Sequence, residues 1–565
     1  MDCFSMGNSD SEPTWLTCLS YLEKRAIKLA REWDQSSIKF HPLLSFVLKA
    51  ACAGYFCVRV TSEEVFPSAY DVVEEEKWNE DNLTLDRWEE SIRSVRFESP
   101  PSWLGHTWAP YSHFLLYQVE DYFLLPRFMG ILNSFIFSLT RLNEASNVLE
   151  WKQVGTPIQL NYEQQFCFES VQKHHVYFLL GGPGTGKSFT AVTIIEHAIK
   201  SGFRVAVLAP TGKAVSSLKK RLHTAERCFC GTIHRVLGLS THAPFHSRLN
   251  PIPYDFVLLD ECSMIDAHLF SYLLEAIPTG ARLLLMGDVN QLPSVEMGGA
   301  FSLLVEWGKK HDLLTQLETF IRMETEGLSA LTKNVLLGDV ESCFEILKKD
   351  SSLHWIEESV RSTWPQEIVK LFGDWFKMWL TVNEREAFIL IDKFKILVPL
   401  RVGDMGSDGA NLFITSWVIF LARKQGIESF YIPVMVIKNL TSEGLCNGDQ
   451  GIVRIDTSTL DPLSQNRVII FCREDDEILF KHELSSRDLK YGWCLSIHKS
   501  QGSEFDHVVV VLPKVSSKLL SQQLLYTALT RAKKKMTVWA NKSEVELAIS
   551  KVILRSEDGL MRLLT

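Results

Sequence analysis

The residues with the clearest chemical purpose in this 565-residue chain are GGPGTGKS at Gly181–Ser188, FVLLDE at Phe256–Glu261 and GDVNQLPSV at Gly287–Val295. The first has the spacing of a phosphate-binding loop. Gly181, Gly182, Gly184 and Gly186, with Pro183 and Thr185 among them, let backbone N–H groups curl around phosphate oxygens, and the start of the following helix adds partial positive charge. Lys187 is expected to reach the β- and γ-phosphates of a nucleoside triphosphate, and Ser188 to ligate Mg2+. In the second segment an apolar strand delivers Asp260 to the metal and Glu261 to the attacking water. In the third, Asp288 and Gln291 are placed to sense the γ-phosphate from the same strand edge. A phosphate-binding loop with an acidic partner defines a nucleotide hydrolase and no more.

Such residues need a parallel sheet to hold them along one edge. VYFLL, RVAVLAP, FVLLDE and ARLLLMGD are short apolar runs that end at Gly, Asp or Pro and precede helical segments; KFKILVPL, HVVVVLP and MTVWA form a second set. Buried strands alternating with helices predict two α/β lobes with parallel sheets. The expected organisation is a helical domain over 1–148, a first lobe over 149–325 and a second over 326–565. A small β-barrel insert is expected near 431–489, where β-branched segments alternate with turn signals such as NGDQG. The front of the chain has helical periodicity in TWLTCLSYLEKRAIKLAREW and holds no catalytic constellation.

Charge divides the chain unevenly. Residues 1–150 carry 13 Lys and Arg against 22 Asp and Glu, so the whole net charge of −9 lies there and the remainder is neutral. Phosphate attraction needs a local basic stripe and not a basic total, so the neutral remainder is compatible with DNA while the acidic, aromatic-rich front suits a protein contact. The 12 cysteines include no CxxC pair, only the CxC of Cys228 and Cys230, so reduced thiols are expected in place of a disulfide framework or metal site. The first residues lack the pattern of a secretory signal. Lys49 and Arg127 interrupt the apolar stretches Leu43–Val58 and Phe123–Thr140 too soon for a bilayer span, which predicts buried helices and a cytoplasmic protein.

GGPGTGKS, APTGKAVSSL, TIHRVLG, LLDECSM, GDVNQLPSV, HKSQGSEF and YTALTRA occur in this order over roughly Asn161–Trp539. The set resembles the ordered motifs of superfamily 1 helicases and, within them, the RecD group. The resemblance implies two RecA-like motor domains using ATP and Mg2+, and a 5′→3′ DNA helicase subunit of a bacterial RecBCD-type helicase–nuclease. Such an assembly acts in repair of double-strand breaks and degradation of linear DNA. RecB-like and RecC-like partners are implied, with the front domain docked on the latter. Nuclease activity would belong to a partner chain, because no acidic cluster of the D…DxK type is present. The resemblance assigns Gln164, in NYEQ, to the adenine base, the alternative being an exposed helix residue. It assigns Arg322 and Arg531 to the γ-phosphate across the cleft. Pro210, Thr211, Gly212, Lys213, Thr232 and His234 in the first lobe, and His498, Lys499, Ser500 and Gln501 in the second, would hold single-stranded DNA by phosphate contacts and stacking. The alternative for both histidines is a satisfied structural role. Arg401 fits a further RecD-like segment. Two other readings stand beside this one: a stand-alone RecD-like helicase, and a structural subunit that binds nucleotide without translocating.

Overall fold

The computed structural model describes residues 41–53, 55–72, 85–94, 104–106, 116–145, 150–152, 160–239, 244–293, 299–319, 326–357, 364–403, 406–438, 440, 445, 447–458, 467–473, 478–512, 519–553 and 559–564. The predicted helix around residues 14–33 and Arg322 lie outside them.

The front of the chain is more than helical. Strands β1 (Val58–Val60), β2 (Val65–Phe66), β3 (Leu104–His106), β4 (Leu116–Val119) and β5 (Tyr122–Leu124) form a sheet in the order β2-β1-β5-β4-β3. The helical expectation misses it because the strands are short and the turns do the work. Thr61 closes the first hairpin by accepting from the Glu64 N–H at 3.0 Å, and Glu120, at a φ of 49°, reverses the chain between β4 and β5. The two apolar stretches each supply a strand and a helix, His41–Cys52 with β1 and Pro126–Asn143 with β5. Among the described residues no helix is long and apolar enough to cross a membrane.

The first lobe holds β6 (Val176–Gly181), β7 (Val205–Ala209), β8 (Cys228–Thr232), β9 (Phe256–Leu259), β10 (Arg282–Gly287) and β11 (Leu314–Leu317), all parallel in the order β11-β6-β10-β9-β7-β8. Every residue of β6, β7, β9 and β10 is buried, as expected of a sheet covered on both faces. Helix Pro126–Asn143 lies on helix Ala267–Ala276 of this lobe. Its Phe128, Leu132, Phe135, Leu139 and Leu142 share one continuous core with the sheet, and Arg141 donates to the carbonyls of Leu274 and Ile277 at 3.0 and 2.9 Å. The chain end returns to the same place: the Gly559 N–H donates to Glu306 at 2.8 Å, and helix Leu560–Leu564 packs on helix Ala300–Lys310.

The second lobe holds β12 (Leu353–Ile356), β13 (Phe394–Val398), β14 (Ser429–Val436), β15 (Gln450–Asp456), β16 (Arg467–Arg473), β17 (Ile478–Leu484), β18 (Leu489–Tyr491), β19 (Cys494–Ser496), β20 (Phe505–Val511) and β21 (Ala532–Trp539). Five make a parallel sheet in the order β12-β21-β20-β13-β19. The other five, within the span expected to be a barrel, pair antiparallel in the order β17-β16-β15-β14-β18. Among the described residues the outer strands β17 and β18 do not pair with each other, so this insert is a five-stranded sheet.

Candidate functional site: a nucleotide cleft between two lobes

Parallel register lines up the chemistry of the first lobe. Gly287 pairs with Leu180, Leu285 with Leu259, Leu208 with Leu259 and Ala209 with Thr232. The segments after β6, β10, β9, β7 and β8 therefore leave the sheet at one carboxyl edge, where open α/β sheets bind ligands. This edge carries the phosphate-binding loop, Asp288, Asp260, Thr211 and Thr232.

Gly184 and Gly186 adopt φ of 78° and 89°, a left-handed backbone open to glycine, and helix Lys187–Ser201 starts directly after them. Thr185 braces the loop by donating to the Gly182 carbonyl at 2.8 Å. The Lys187 ammonium lies over the loop, on the carbonyls of Gly181 and, at 2.9 Å, Gly182. Asp260 follows β9, its Oδ1 accepting from the Glu261 N–H at 2.8 Å. Burial first, and the neighbouring Glu261 charge second, hold its carboxyl well above the usual range, while Lys187 and Arg221 pull the other way. Glu261 has a φ of 52°, costly for a side-chain-bearing residue and typical of positions held for function.

Two buried amides bear on whether a nucleotide fits. Gln164 is 2% exposed, which removes the exposed-helix alternative. Its Oε1 accepts from the Asn161 N–H at 3.1 Å in a capping box, leaving Nε2 without a hydrogen-bond partner. Gln291 donates from Nε2 to Asp288 at 3.3 Å and leaves Oε1 unpartnered. Buried amide atoms without partners are costly, and groups of the bound ligand would satisfy them. The Ser188 hydroxyl and Asp260 carboxylate are hard oxygen donors of the kind Mg2+ takes.

The second lobe meets this edge through helix Gln522–Leu529 and the turn at His498–Ser500. The Tyr526 hydroxyl donates to Asp288 Oδ2 at 2.8 Å, the Leu292 N–H donates to Thr527 Oγ1 at 2.9 Å, and Gln501 Nε2 donates to the Leu292 carbonyl at 3.0 Å. Leu292 packs within the core of the second lobe. Burial first, and the Asp288 charge next, raise the Tyr526 phenol well above its ordinary value, so it remains a donor. Arg531 is 3% exposed and turned onto its own lobe: Nε donates to the Thr527 carbonyl at 3.1 Å, Nη1 to the Ser503 carbonyl at 3.2 Å and Nη2 to Thr530 Oγ1 at 3.0 Å.

The residues assigned to DNA separate into two kinds. Thr211 and Thr232 cap helices Gly212–Lys219 and Ile233–Leu237 by accepting from the N–H groups of Ala214 and Arg235, both at 3.3 Å. Ser500 is buried and donates to the Ile497 carbonyl at 2.7 Å, and Gln501 is spent on Leu292. These hydroxyls and this amide hold the scaffold. Pro210, Lys213, Lys499 and the ring of His498 are partly open, and His234 is exposed. Lys213 stands over the Phe505 ring of the second lobe, 5.7 Å from its centre. Burial lowers His498 from its ordinary value, which keeps it neutral near pH 7.

Of the cations beside Lys499, the sequence marks Arg401 through its RecD-like segment and does not single out Lys490. Arg401 lies 3.6 Å from Asp408, and Lys490 also pairs with Asp408. Burial first, then the Lys490 and Arg401 charges, lower the Lys499 ammonium, and Asp408 opposes them. Lys490 and Asp408 have no motif to mark them. Tyr526 and Thr527 stand inside YTALTRA, but nothing local says that they face Asp288 and Leu292.

A phosphate-binding loop and strand-end carboxylates on one parallel-sheet lobe, with a second such lobe bonded across them, define a two-lobed P-loop motor of the helicase type. Residues 164–297 match the family model described as an AAA domain, and residues 491–539 the one described as a UvrD-like helicase C-terminal domain. The RecBCD enzyme subunit RecD of Mycolicibacterium smegmatis is 32% identical over 419 residues, spanning 70% of this chain and 73% of that protein. This chain belongs to the RecD family. The ATP-dependent RecD2 DNA helicase of Deinococcus radiodurans is 30% identical over 380 residues, covering 66% of this chain and 48% of that one. Among solved structures, Bacteroides Pif1 bound to ssDNA aligns with a TM-score of 0.40 at 15% identity, over 72% of this chain and 97% of that one.

Proposed function

We propose that this chain is the ATP-driven 5′→3′ DNA helicase subunit of a RecBCD-type assembly. One observation carries the motor reading: polar side chains of the second lobe bond directly to the strand edge that holds the phosphate-binding loop and Asp260 of the first, so nucleotide chemistry on one lobe is tied to the position of the other. The residues divide the work. Lys187 and the loop N–H groups hold phosphate oxygens, and Gln164 Nε2 meets the base. Ser188 and Asp260 would hold Mg2+, which supplies charge neutralisation at the β- and γ-phosphates. Glu261 takes the proton of the attacking water. Gln291 reads the γ-phosphate. Arg531, with Arg322, stabilises the transferring phosphoryl charge once the lobes close, an arrangement worth about 10³–10⁵ in rate where arginine supplies it. The track runs over Pro210, Lys213 and His234, and on the second lobe over His498 and Lys499 with Arg401 and Lys490 beside them. Backbone contact and stacking there read no sequence. Thr211, Thr232, Ser500 and Gln501 shape that track by holding its turns.

ATP hydrolysis measured with and without oligo(dT) tests the motor, and unwinding of duplexes with a single 5′ or 3′ tail tests the polarity. No stimulation by DNA would remove the motor reading, and a preference for 3′ tails would reverse the direction. A stand-alone helicase is the second reading, because the RecD2 DNA helicase of Deinococcus radiodurans is 30% identical where the RecD subunit is 32%. Co-purification of RecB-like and RecC-like chains distinguishes the two.

A further inference from the structure

We propose that Tyr526 is a positioning residue that couples the lobes: its hydroxyl, anchored on Asp288, fixes where Arg531 stands relative to the nucleotide and makes hydrolysis respond to DNA. The proposal rests on the motor reading above. Asp288 divides its carboxylate three ways. Oδ1 accepts from the Asn290 N–H at 3.0 Å, and Oδ2 accepts from both Gln291 Nε2 at 3.3 Å and the Tyr526 hydroxyl at 2.8 Å. One oxygen thus joins the amide that reads the γ-phosphate to a helix of the opposite lobe. On that helix the next residue, Thr527, accepts from the Leu292 N–H through Oγ1 and from Arg531 Nε through its carbonyl. A continuous polar path therefore runs from Gln291 through Asp288, Tyr526 and Thr527 to Arg531, and all five are under 4% exposed. A branch reaches the DNA side, because Gln501, two residues beyond Lys499, holds the Leu292 carbonyl.

Packing alone does not account for a tyrosine here. Tyr526 is 1% exposed among Leu524, Leu525 and Leu529, where phenylalanine would fill the same volume, so the hydroxyl is retained at a desolvation cost that only a partner offsets. In a dry polar network, bonds are strong when made and costly when broken. That gives the junction discrete arrangements in place of gradual slippage.

The test uses the full-length chain assayed by itself, so that no other motor contributes, with oligo(dT) as the DNA. The readout is the ratio of kcat with DNA to kcat without it, alongside KM for ATP and the thermal midpoint. Tyr526→Phe should reduce the ratio about tenfold, toward the lower end of the usual range for coupling between sites, with KM and midpoint close to the parent. Thr527→Val should move the ratio the same way, and Thr527→Ser, which keeps the hydroxyl, should restore it. A parental ratio in Tyr526→Phe would overturn the proposal. So would equal losses with and without DNA accompanied by a lowered midpoint, which mark a packing role. If the parent shows no stimulation, the motor reading fails and the coupling falls with it.

Discussion

The Lys187 ammonium donates to the Gly181 and Gly182 carbonyls of its own loop, so removing its charge disturbs no core contact. Lys187→Gln is expected to leave the thermal midpoint near the parent and to cut ATP turnover by more than about a hundredfold, on the scale of losing a single transition-state donor. Turnover that survives would displace the loop from the active site. Lys395 on β13 is a different kind of lysine. It is 1% exposed, donates to Gln450 Oε1 and the Gly492 carbonyl at 2.8 Å each, and burial pulls its ammonium from 10.5 down to about 7. Between those values the unfolded chain binds a proton that the folded chain has released, so this group adds stability as pH rises from about 7 toward 10.5. Below about 7 both states are charged and the full cost of burying the charge remains. Lys395→Met abolishes the titration. Denaturant unfolding at pH 7 and pH 9 should therefore show the parent gaining on the variant, and a difference independent of pH would mean that Lys395 keeps its proton throughout.

Helix Gln522–Leu529 and the turn that follows it behave as one unit with the start of β20. Arg531 clasps them through three donors, and its own carbonyl accepts from the Phe505 N–H at 2.8 Å. Arg531→Ala takes the donor from the buried Ser503 carbonyl, a loss of about 1–3 kcal/mol, while the Thr527 carbonyl keeps the Thr530 hydroxyl; under the proposed role it also withdraws charge from the transition state. The expected result is a lower midpoint together with lost turnover, while nucleotide affinity in a binding titration stays within a small factor. Affinity that collapses with turnover would place Arg531 in ground-state binding. The same geometry explains why an arginine read from a motif as reaching across the cleft is found facing inward: its donors must be satisfied wherever the lobes stand.

At the scale of the whole molecule, helix Pro126–Asn143 belongs to the motor as much as to the front of the chain. Phe135 meets Phe270 edge-on at 6.4 Å, Ser134 bonds to Glu275 and Ser271, and Arg248 stands over the Phe137 ring at 4.4 Å. Deleting residues 1–145 would strip that face, at about 1.5–3 kcal/mol for each large apolar side chain that loses its cover. Such a chain is expected to lose much of its solubility and DNA-stimulated ATPase. A cut just ahead of Leu125, which keeps the helix, should retain more of both and no longer co-purify with RecB-like and RecC-like chains. Equal behaviour of the two truncations in solubility and ATPase would show that the helix adds nothing to the motor.

Local sequence determined the two parallel sheets, because buried strands read as unbroken apolar runs and the glycines of Gly181–Gly186 and the acids after β9 carry their chemistry in their own spacing. It also read β-branched segments and turn residues near 431–489 as strands, but took for a barrel what is, among the described residues, an open antiparallel sheet. The small front sheet escaped it, since strands of two to four residues have too short a period to separate from helix. What only the tertiary structure decided is which motif residues face inward. Ser500 and Gln501 sit beside Lys499 in one motif, yet the first caps its own turn and the second crosses to Leu292, more than 200 residues away. Asp288 and Tyr526 lie still farther apart in sequence and share a hydrogen bond. Residue type fixes what a group can donate or accept; the partner it finds depends on how the second lobe, through the helix that leads into β21, meets the carboxyl edge of the first, and no local pattern encodes that.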